Sequence, residues 1–372
     1  MSSYFDYFCN KNKDNEMAND CIRGTCHKMC PEEEVKLREN ERLVHVLEVL
    51  GRERKLIKSY CRSAADSLMA VPRLLRPYPV LMQTVQYLLL EVSKRDDVPQ
   101  SVVYDFVNDR LRAVRQDMTI QRLLPENCVQ LLEPMVRFYV YHGYLLSHLP
   151  LKDFDPILNK KYLLECTKWC LNCYNTINKA NQDVIDQLTG FFNKLDVDSN
   201  SPTLANDKIL IETLYIVCNL DNVCPLYRYL NIPKHKRQPK LDLAYKLAVA
   251  NLEGNFIKVC RLIDNLCPLG YCALYAYLPT LQRRALQVLS HAFHNKRLTV
   301  PSDVIATWLR FHDRKEAETT CLHYGLMVEG GAVRFDKTEF KVDAGLHQLR
   351  TPDLKTVFKL KDTIGIYTYT TN

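Results

Sequence analysis

Four residues near the start of the chain have side chains of the types that can bind zinc: Cys21, Cys26, His27 and Cys30. Zinc in proteins takes thiolate and imidazole ligands in a tetrahedral arrangement. The spacing of these four matches no compact zinc motif, and the adjacent Cys26 and His27 suit a single ion poorly. We therefore expect Cys26 and Cys30 to pack inward and brace the first helix. The alternative hypothesis is a metal- or thiol-dependent enzyme that uses these N-terminal cysteines.

A second group of thiols, Cys166, Cys170 and Cys173, is spaced i, i+4 and i+7. That spacing places all three on one face of a helix. Trp169 and Tyr174 beside them favour a packed core over a metal or redox site. The chain has fifteen cysteines and begins with a polar segment instead of a signal peptide, so we expect reduced thiols.

The sequence contains none of the motifs that mark common active sites. A Gly-x-Ser-x-Gly elbow, a phosphate-binding loop and a His-Glu-x-x-His helix are all missing, and the ten histidines form no recognisable signature. Eleven glycines are few for a nucleotide-binding α/β fold, which needs glycine at tight turns. We expect no enzymatic activity and no cofactor.

A basic cluster is formed by Lys234, Lys236, Arg237 and Lys240, with no acidic residue between them. Such a cluster contacts nucleic-acid phosphates with an affinity that depends on salt. The equally weighted alternative is a solvated loop. The net charge of +7 permits either an acidic partner or RNA. These four residues are the candidate nucleic-acid site.

Composition and apolar periodicity indicate a mainly helical protein. No apolar stretch reaches the roughly 18 residues of a membrane span, so we expect a nuclear or cytosolic chain without membrane contact. Leu43, Val46, Leu47 and Leu50 recur at helical spacing up to Gly51. Helices are predicted over residues 31–51, 54–66, 102–119, 129–149, 158–177, 209–219, 241–252, 256–264 and 281–295.

The C-terminal part has a different pattern. Two short helices, after Pro301 and over residues 316–324, precede two apolar runs joined by Gly330 and Gly331, which is a hairpin signal. This is the order of a winged helix. Residues 299–345 hold six basic and eight acidic side chains, so direct DNA reading is not expected here. Packing against an equivalent domain of a partner fits better.

These patterns predict a mainly α fold in which stacked helical hairpins are closed by a C-terminal winged helix with a small β-hairpin. We expect a disordered tail over residues 1–23, a helical array over 24–298, the winged helix over 299–345 and a C-terminal tail over 346–372.

Several short runs resemble the Sac-three/GANP family of scaffold subunits from nuclear mRNA-export complexes. The resemblance covers residues 24–345, and its most specific stretch is 106–117. The motif residues are Gly24, Thr25, Cys26, Cys30, Pro31, Arg76, Pro77, Arg110, Arg112 and Arg115. His27 departs from the family, whose members usually have proline there.

The resemblance implies a PCI-type helical fold whose winged helix pairs with that of a second PCI-domain protein. It also implies a small acidic partner of the Dss-one/Sem-one type, and an assembly that binds RNA. The short flanks of the matching region resemble the single-domain branch of the family, which is linked to centrosome duplication and mitotic progression. The expectation is therefore a nuclear and cytoplasmic scaffold, with centrosomal partners and spindle localisation in mitosis as its variant.

Overall fold

The computed structural model describes residues 22–51, 53–61, 71–189 and 208–347, with side chains described for all of these except 180–189. The described residues are mainly helical, which confirms the predicted fold class. The chain divides into two compact units. In the described part, unit 1 covers residues 22–139 and 157–189, and unit 2 covers residues 140–156 and 208–347.

The predicted tails lie outside the described residues apart from 22–23 and 346–347, and the predicted helix end over 62–66 does so too. The domain boundaries drawn from the sequence stay predictions. None of the helices in the described ranges is both long and apolar enough to cross a membrane.

Unit 1 is built from helices with one short hairpin. Its elements are α1 (Glu32–Asn40), β1 (Val49–Leu50), β2 (Glu53–Arg54), α2 (Tyr78–Leu90), α3 (Gln100–Ile120), α4 (Pro125–Leu145) and α5 (Pro156–Thr189). Of these, α4 and α5 each extend beyond the unit at one end. The division between the units falls within α4, after Tyr139, and after Pro156, the first residue of α5.

The centre of unit 1 is α3. Its side chains at Val103, Val107, Leu111 and Val114 are fully buried, at the i, i+4, i+8 and i+11 spacing of one helical face. This apolar stripe explains why the prediction over residues 102–119 agrees with the observed helix to within two residues at each end.

Two predictions in the N-terminal part were wrong. The predicted helix over 31–51 ends at Asn40, because Arg42 takes a left-handed conformation with φ of 56°. Residues 46–48 then form a 3-10 helix, and β1 pairs with β2 as an antiparallel hairpin. The predicted helix over 54–66 is not a helix in its described part, 54–61.

The reason for the wrong helix is a single carboxylate. Val46-Leu47-Glu48-Val49-Leu50 has the apolar density of a helix, but Glu48 is buried and needs cationic and N–H partners. The side chain of His45 caps the 3-10 helix, accepting a hydrogen bond from the Leu47 N–H. This turn directs Glu48 inward.

Unit 2 contains most of the remaining elements. They are α6 (Lys208–Val217), α7 (Cys224–Leu230), α8 (Pro239–Leu252), α9 (Phe256–Leu262), α10 (Pro268–Tyr275), α11 (Leu278–Ala292), β3 (Thr299–Pro301), α12 (Ser302–Leu309), α13 (Arg314–His323), β4 (Met327–Glu329) and β5 (Ala332–Arg334). The sequence analysis missed α7 and α10, which have seven and eight residues, because so short a helix shows little periodicity.

The winged-helix order is confirmed, with one strand added. The three strands form an antiparallel sheet in the order β3-β5-β4, in which Val333 lies opposite both Val300 and Val328. The sequence analysis found the β4–β5 hairpin and missed β3, whose three residues are too few to show alternation. α12 packs on α13, and Phe335 after β5 is buried in this unit.

Gly325 supports a test of the winged helix. It joins α13 to β4 with φ of +84°, and an added Cβ would lie 2.4 Å from the carbonyl oxygen of Glu339. We expect Gly325→Ala to lower the free energy of unfolding by about 2 kcal/mol or more, because backbone strain adds to the clash.

Gly330→Ala is the matched control, since φ is +58° there but the space around a Cβ is open. Its expected cost is about 1 kcal/mol. Urea titration of both variants measures the difference, and equal losses would contradict the role of the close approach to Glu339.

Candidate functional site

The first two motif segments lie side by side in unit 1. The Thr25 N–H donates to the Pro72 carbonyl oxygen at 2.8 Å, and the Cys26 N–H donates to that of Leu75 at 3.0 Å. Residues 24–26 therefore run along the segment that leads into Arg76-Pro77. The family-like motifs, about fifty residues apart in sequence, form one structural feature.

Gly24 is required by this close approach. An added Cβ would lie 2.3 Å from the Leu75 carbonyl oxygen, a distance that side-chain movement cannot relieve. Its N–H donates to Gln121 Oε1 at 2.8 Å, which attaches the motif to the end of α3. Further along, Pro31 is buried and immediately precedes α1, whose first turn carries three glutamates that suit the positive helix end.

The Asp117 triad, formed by Lys58, Arg76 and Asp117, joins three distant segments. All three side chains are fully buried. Lys58 Nζ lies 2.6 Å from Asp117 Oδ1, and Arg76 Nε lies 2.7 Å from Asp117 Oδ2. Charge-assisted hydrogen bonds of this length are among the strongest that proteins make.

Two backbone carbonyls also accept hydrogen bonds from the triad, which carries one more positive than negative charge. Lys58 Nζ also donates to the Leu74 carbonyl oxygen at 2.7 Å, and Arg76 Nη1 donates to that of Met29 at 3.3 Å. The N-terminal motif, the residues before α2 and the last turn of α3 are thus held by one carboxylate.

The Glu48 cluster, formed by Arg38, Glu48 and Arg110, is a second buried network. Arg38 binds Glu48 Oε2, and Arg110 Nη2 lies 3.4 Å from Glu48 Oε1. The Ile57 N–H donates to the same Oε1 at 2.9 Å. Burial opposes ionisation of Glu48, but the hydrogen bonds from Arg38 and Ile57 and the charge of Arg110 hold its pKa below the usual value.

The other two motif arginines are also engaged inside unit 1. The Arg112 guanidinium lies 3.8 Å from the ring centre of Tyr60, a cation–π contact. Arg115 Nη1 lies 3.2 Å from Glu165 Oε2 on α5. The motif arginines of α3 therefore hold the helix to its neighbours.

The N-terminal cysteines pack inward as predicted. Cys26 and Cys30 are buried, and Cys26 Sγ donates to the Lys28 carbonyl oxygen at 3.3 Å. Burial, with a smaller contribution from Glu34, raises the pKa of Cys30 to about 12, so the thiol stays protonated near neutral pH. This opposes the reactive thiolate that the enzyme hypothesis needs.

His27 is exposed, and Cys21 lies outside the described residues. Within the described ranges, no three His, Cys, Asp or Glu side chains are grouped to hold a metal ion. Cys166, Cys170 and Cys173 are buried in the core, which confirms the packing interpretation.

The basic cluster is divided by the fold. Lys234 and Lys236 lie on an exposed 3-10 helix, and Lys240 is exposed at the start of α8. Arg237 instead donates through Nε to the Ile232 carbonyl oxygen at 2.9 Å and through Nη2 to that of Leu230 at 3.0 Å. Three of the four predicted residues are therefore presented to solvent, and Arg237 shapes the turn that carries them.

Sequence reasoning missed the buried anions. Asp117 falls within the family-like stretch 106–117, but its pairing with Lys58 and Arg76 was not predicted, and Glu48 was placed on a helix. The available signal was a single carboxylate inside the aliphatic run 46–50. Such a residue is rarely buried without a cationic partner.

The comparisons with known proteins agree with these motifs. A family model described as "SAC3/GANP family" matches residues 29–330. Protein xmas of Drosophila melanogaster is 27% identical over 371 residues, which cover 93% of this chain and 17% of that protein. SAC3 family protein B of Arabidopsis thaliana is 24% identical over 83% of this chain and 18% of its own length.

SAC3 family protein 1 of Schizosaccharomyces pombe is 24% identical over 90% of this chain and 33% of its own length. The chain thus spans a third or less of the length of these three relatives.

The Asp117 triad can be tested by removing its anion. Asp117→Asn leaves two buried cations without a counter-charge, and we expect a loss of about 3–5 kcal/mol in the free energy of unfolding. Asp97→Asn is the matched control, because the Asp97 carboxylate is exposed and its partner Arg95 is only partly buried. We expect the control to keep the melting temperature of the wild type. Equal melting temperatures for both variants would contradict the triad's role.

The Glu48 cluster predicts a pH dependence. Because the folded-state pKa of Glu48 is lowered, its contribution to stability is present above the unfolded pKa of about 4.3 and is lost as pH falls through the folded value. We expect Glu48→Gln to melt well below the wild type at neutral pH. The gap should narrow below about pH 4. Melting temperatures measured across this range test it, and a constant gap would contradict it.

Proposed function

This chain belongs to the SAC3/GANP family, and from that membership we propose that it is a non-enzymatic scaffold in nuclear mRNA export. The observation that carries the proposal is the family match over residues 29–330, which include both units. The chain covers only part of its relatives, so its activity and partners are inferred and belong to the proposal.

The use of the motif residues supports a scaffold. Arg76, Arg110 and Arg115 form ion pairs inside unit 1, and Gly24 provides a close backbone approach. Motif residues that bind to other residues of the same unit stabilise its fold, which is what a scaffold needs. The protonated thiol of Cys30 points in the same direction, away from nucleophilic catalysis.

The proposed partners are a second PCI-domain protein and a small acidic protein of the Dss-one/Sem-one type. The winged helix is the proposed contact with the PCI-domain protein. Its helix α13 exposes Leu322, and its β4 exposes Met327, which gives this part of unit 2 apolar side chains for pairing.

Localisation to the nucleus and cytoplasm is part of the same proposal. Centrosome duplication and mitotic progression form its variant, in which centrosomal proteins take the place of the export partners. Direct RNA contact through Lys234, Lys236 and Lys240 stays a prediction of the sequence.

Affinity purification of the tagged full chain from interphase and mitotic cells, followed by mass spectrometry, tests the proposal. We expect a PCI-domain protein together with a small acidic protein. Leu322→Asp should lower recovery of the PCI-domain protein, because it places a charge on the proposed pairing surface. Leu124→Asp, similarly exposed but in unit 1, is the matched control.

Recovery of neither partner by a chain that melts cooperatively would contradict the export scaffold. Centrosomal proteins alone, together with spindle-pole localisation in dividing cells, would favour the mitotic variant. A purely interphase nuclear signal would disfavour that variant.

A further inference from the structure

The outward face of α7 carries apolar side chains. Val223, Tyr227 and Leu230 are 48%, 66% and 50% exposed, and their i, i+4 and i+7 spacing places them on one side of the helix. Leu226 and Tyr229 fill the buried side. An adjacent set of exposed apolar side chains marks an interaction site more often than isolated ones do.

Exposed lysines lie at the C-terminal end of α7, because Arg237 holds the following turn against that end. Its guanidinium binds the carbonyl oxygens of Leu230 and Ile232 and lies 4.5 Å from the ring centre of Tyr229. The 3-10 helix that carries Lys234 and Lys236 is therefore held at the C-terminal end of α7. We call the exposed side chains of this region the α7 surface, which consists of Val223, Tyr227, Leu230, Lys234, Lys236 and Lys240.

The lysines of the α7 surface lack acidic partners within the described residues. Lys234, Lys236 and Lys240 are exposed, and none of them forms an ion pair there. The nearby Asp242 instead accepts a hydrogen bond from the Tyr229 hydroxyl at 2.7 Å. The positive charge of this surface is thus available to a ligand.

The positive region extends to α6. Burial lowers the pKa of Lys208, and the charges of Arg228 and Lys236 lower it further against the opposing effect of Glu212. Glu212 is already engaged, since Arg228 donates to its two carboxylate oxygens at 2.7 Å each. Among the described residues, cations from three elements therefore act on one another here, and the nearby anion Glu212 is already bound to Arg228.

The two features together select the ligand. RNA could place its phosphates on the lysines and stack bases on the exposed rings of Tyr227 and His235, but it would leave Val223 and Leu230 in water. An acidic peptide with bulky apolar side chains satisfies both features, since its carboxylates pair with the lysines and its apolar groups cover α7. We propose that the α7 surface is a docking site for such an acidic peptide segment of a partner protein.

This inference rests on the proposed function in one respect, since an acidic partner is already part of that proposal, and it adds the surface to which an acidic segment binds. Its failure would leave the export scaffold untouched, and recovery of export partners would not by itself establish it.

Fluorescence anisotropy with the full chain tests the docking site. The probe is a fluorescein-labelled peptide of roughly fifteen residues, about 22 Å long as a helix, made of Glu and Asp with Leu or Trp at every fourth position. Two matched probes replace its acids by Gln and Asn, or its Leu and Trp by Ser. We expect only the peptide with both features to bind tightly at about 0.1 M salt.

Two variants remove one feature each from the protein. Tyr227→Ser with Leu230→Ser, and Lys234→Glu with Lys236→Glu, are each expected to weaken binding about tenfold or more. The matched control is Leu151→Ser with Lys152→Glu, since both side chains are similarly exposed and neither lies on a proposed binding surface. Equal melting temperatures would show that all three variants fold.

Three outcomes would overturn the proposal. Binding that depends on the lysines but not on Tyr227 and Leu230 would indicate unspecific charge attraction. Tighter binding of oligouridylate than of the acidic peptide, with a steep salt dependence, would make the surface an RNA site. An equal loss in the variant of Leu151 and Lys152 would show that the peptide binds without a defined site.

Discussion

The carboxylate of Asp117 is the interaction on which the described part of unit 1 depends. It is fully buried and binds Lys58 and Arg76, two cations from segments without long helices. A buried anion needs cationic partners, and buried cations need an anion. Each of these segments therefore has one position in which its charged side chain is paired. The Glu48 cluster acts in the same way on α1 and the β1–β2 hairpin, since it binds Arg38 and Arg110 from two helices.

This constraint explains why the motif arginines stand out as charged residues in the sequence but do not form an exposed site. Arg76, Arg110 and Arg115 are engaged by carboxylates inside unit 1. The arginines of the family-like motifs therefore help to hold the interior of unit 1 together. The side chains proposed to contact partners lie elsewhere, on the α7 surface and on the winged helix. Their charges and apolar groups stay exposed in the folded chain.

Long helices were predictable because a buried stripe needs an apolar residue every three or four positions. α3 and α8 show that stripe, and their observed ranges agree with prediction to within two residues. The short α7 and α10 and the three-residue β3 were missed because one or two turns contain too few apolar positions to define a period. The region 31–61 failed for another reason, since its apolar spacing fits a helix and its single buried glutamate does not.

The sequence by itself determined the helical class, the winged-helix order, the inward-facing cysteines and the family. Each of these depends on local periodicity or on residue types at fixed spacing. Only the tertiary structure decided that Asp117 binds Lys58 and Arg76, that Arg237 is used to hold a turn, and that the lysines at the end of α7 have no ion-pair partner among the described residues. Those facts depend on which distant residues meet, and a pattern along the chain does not contain the energy of contacts between groups far apart in sequence.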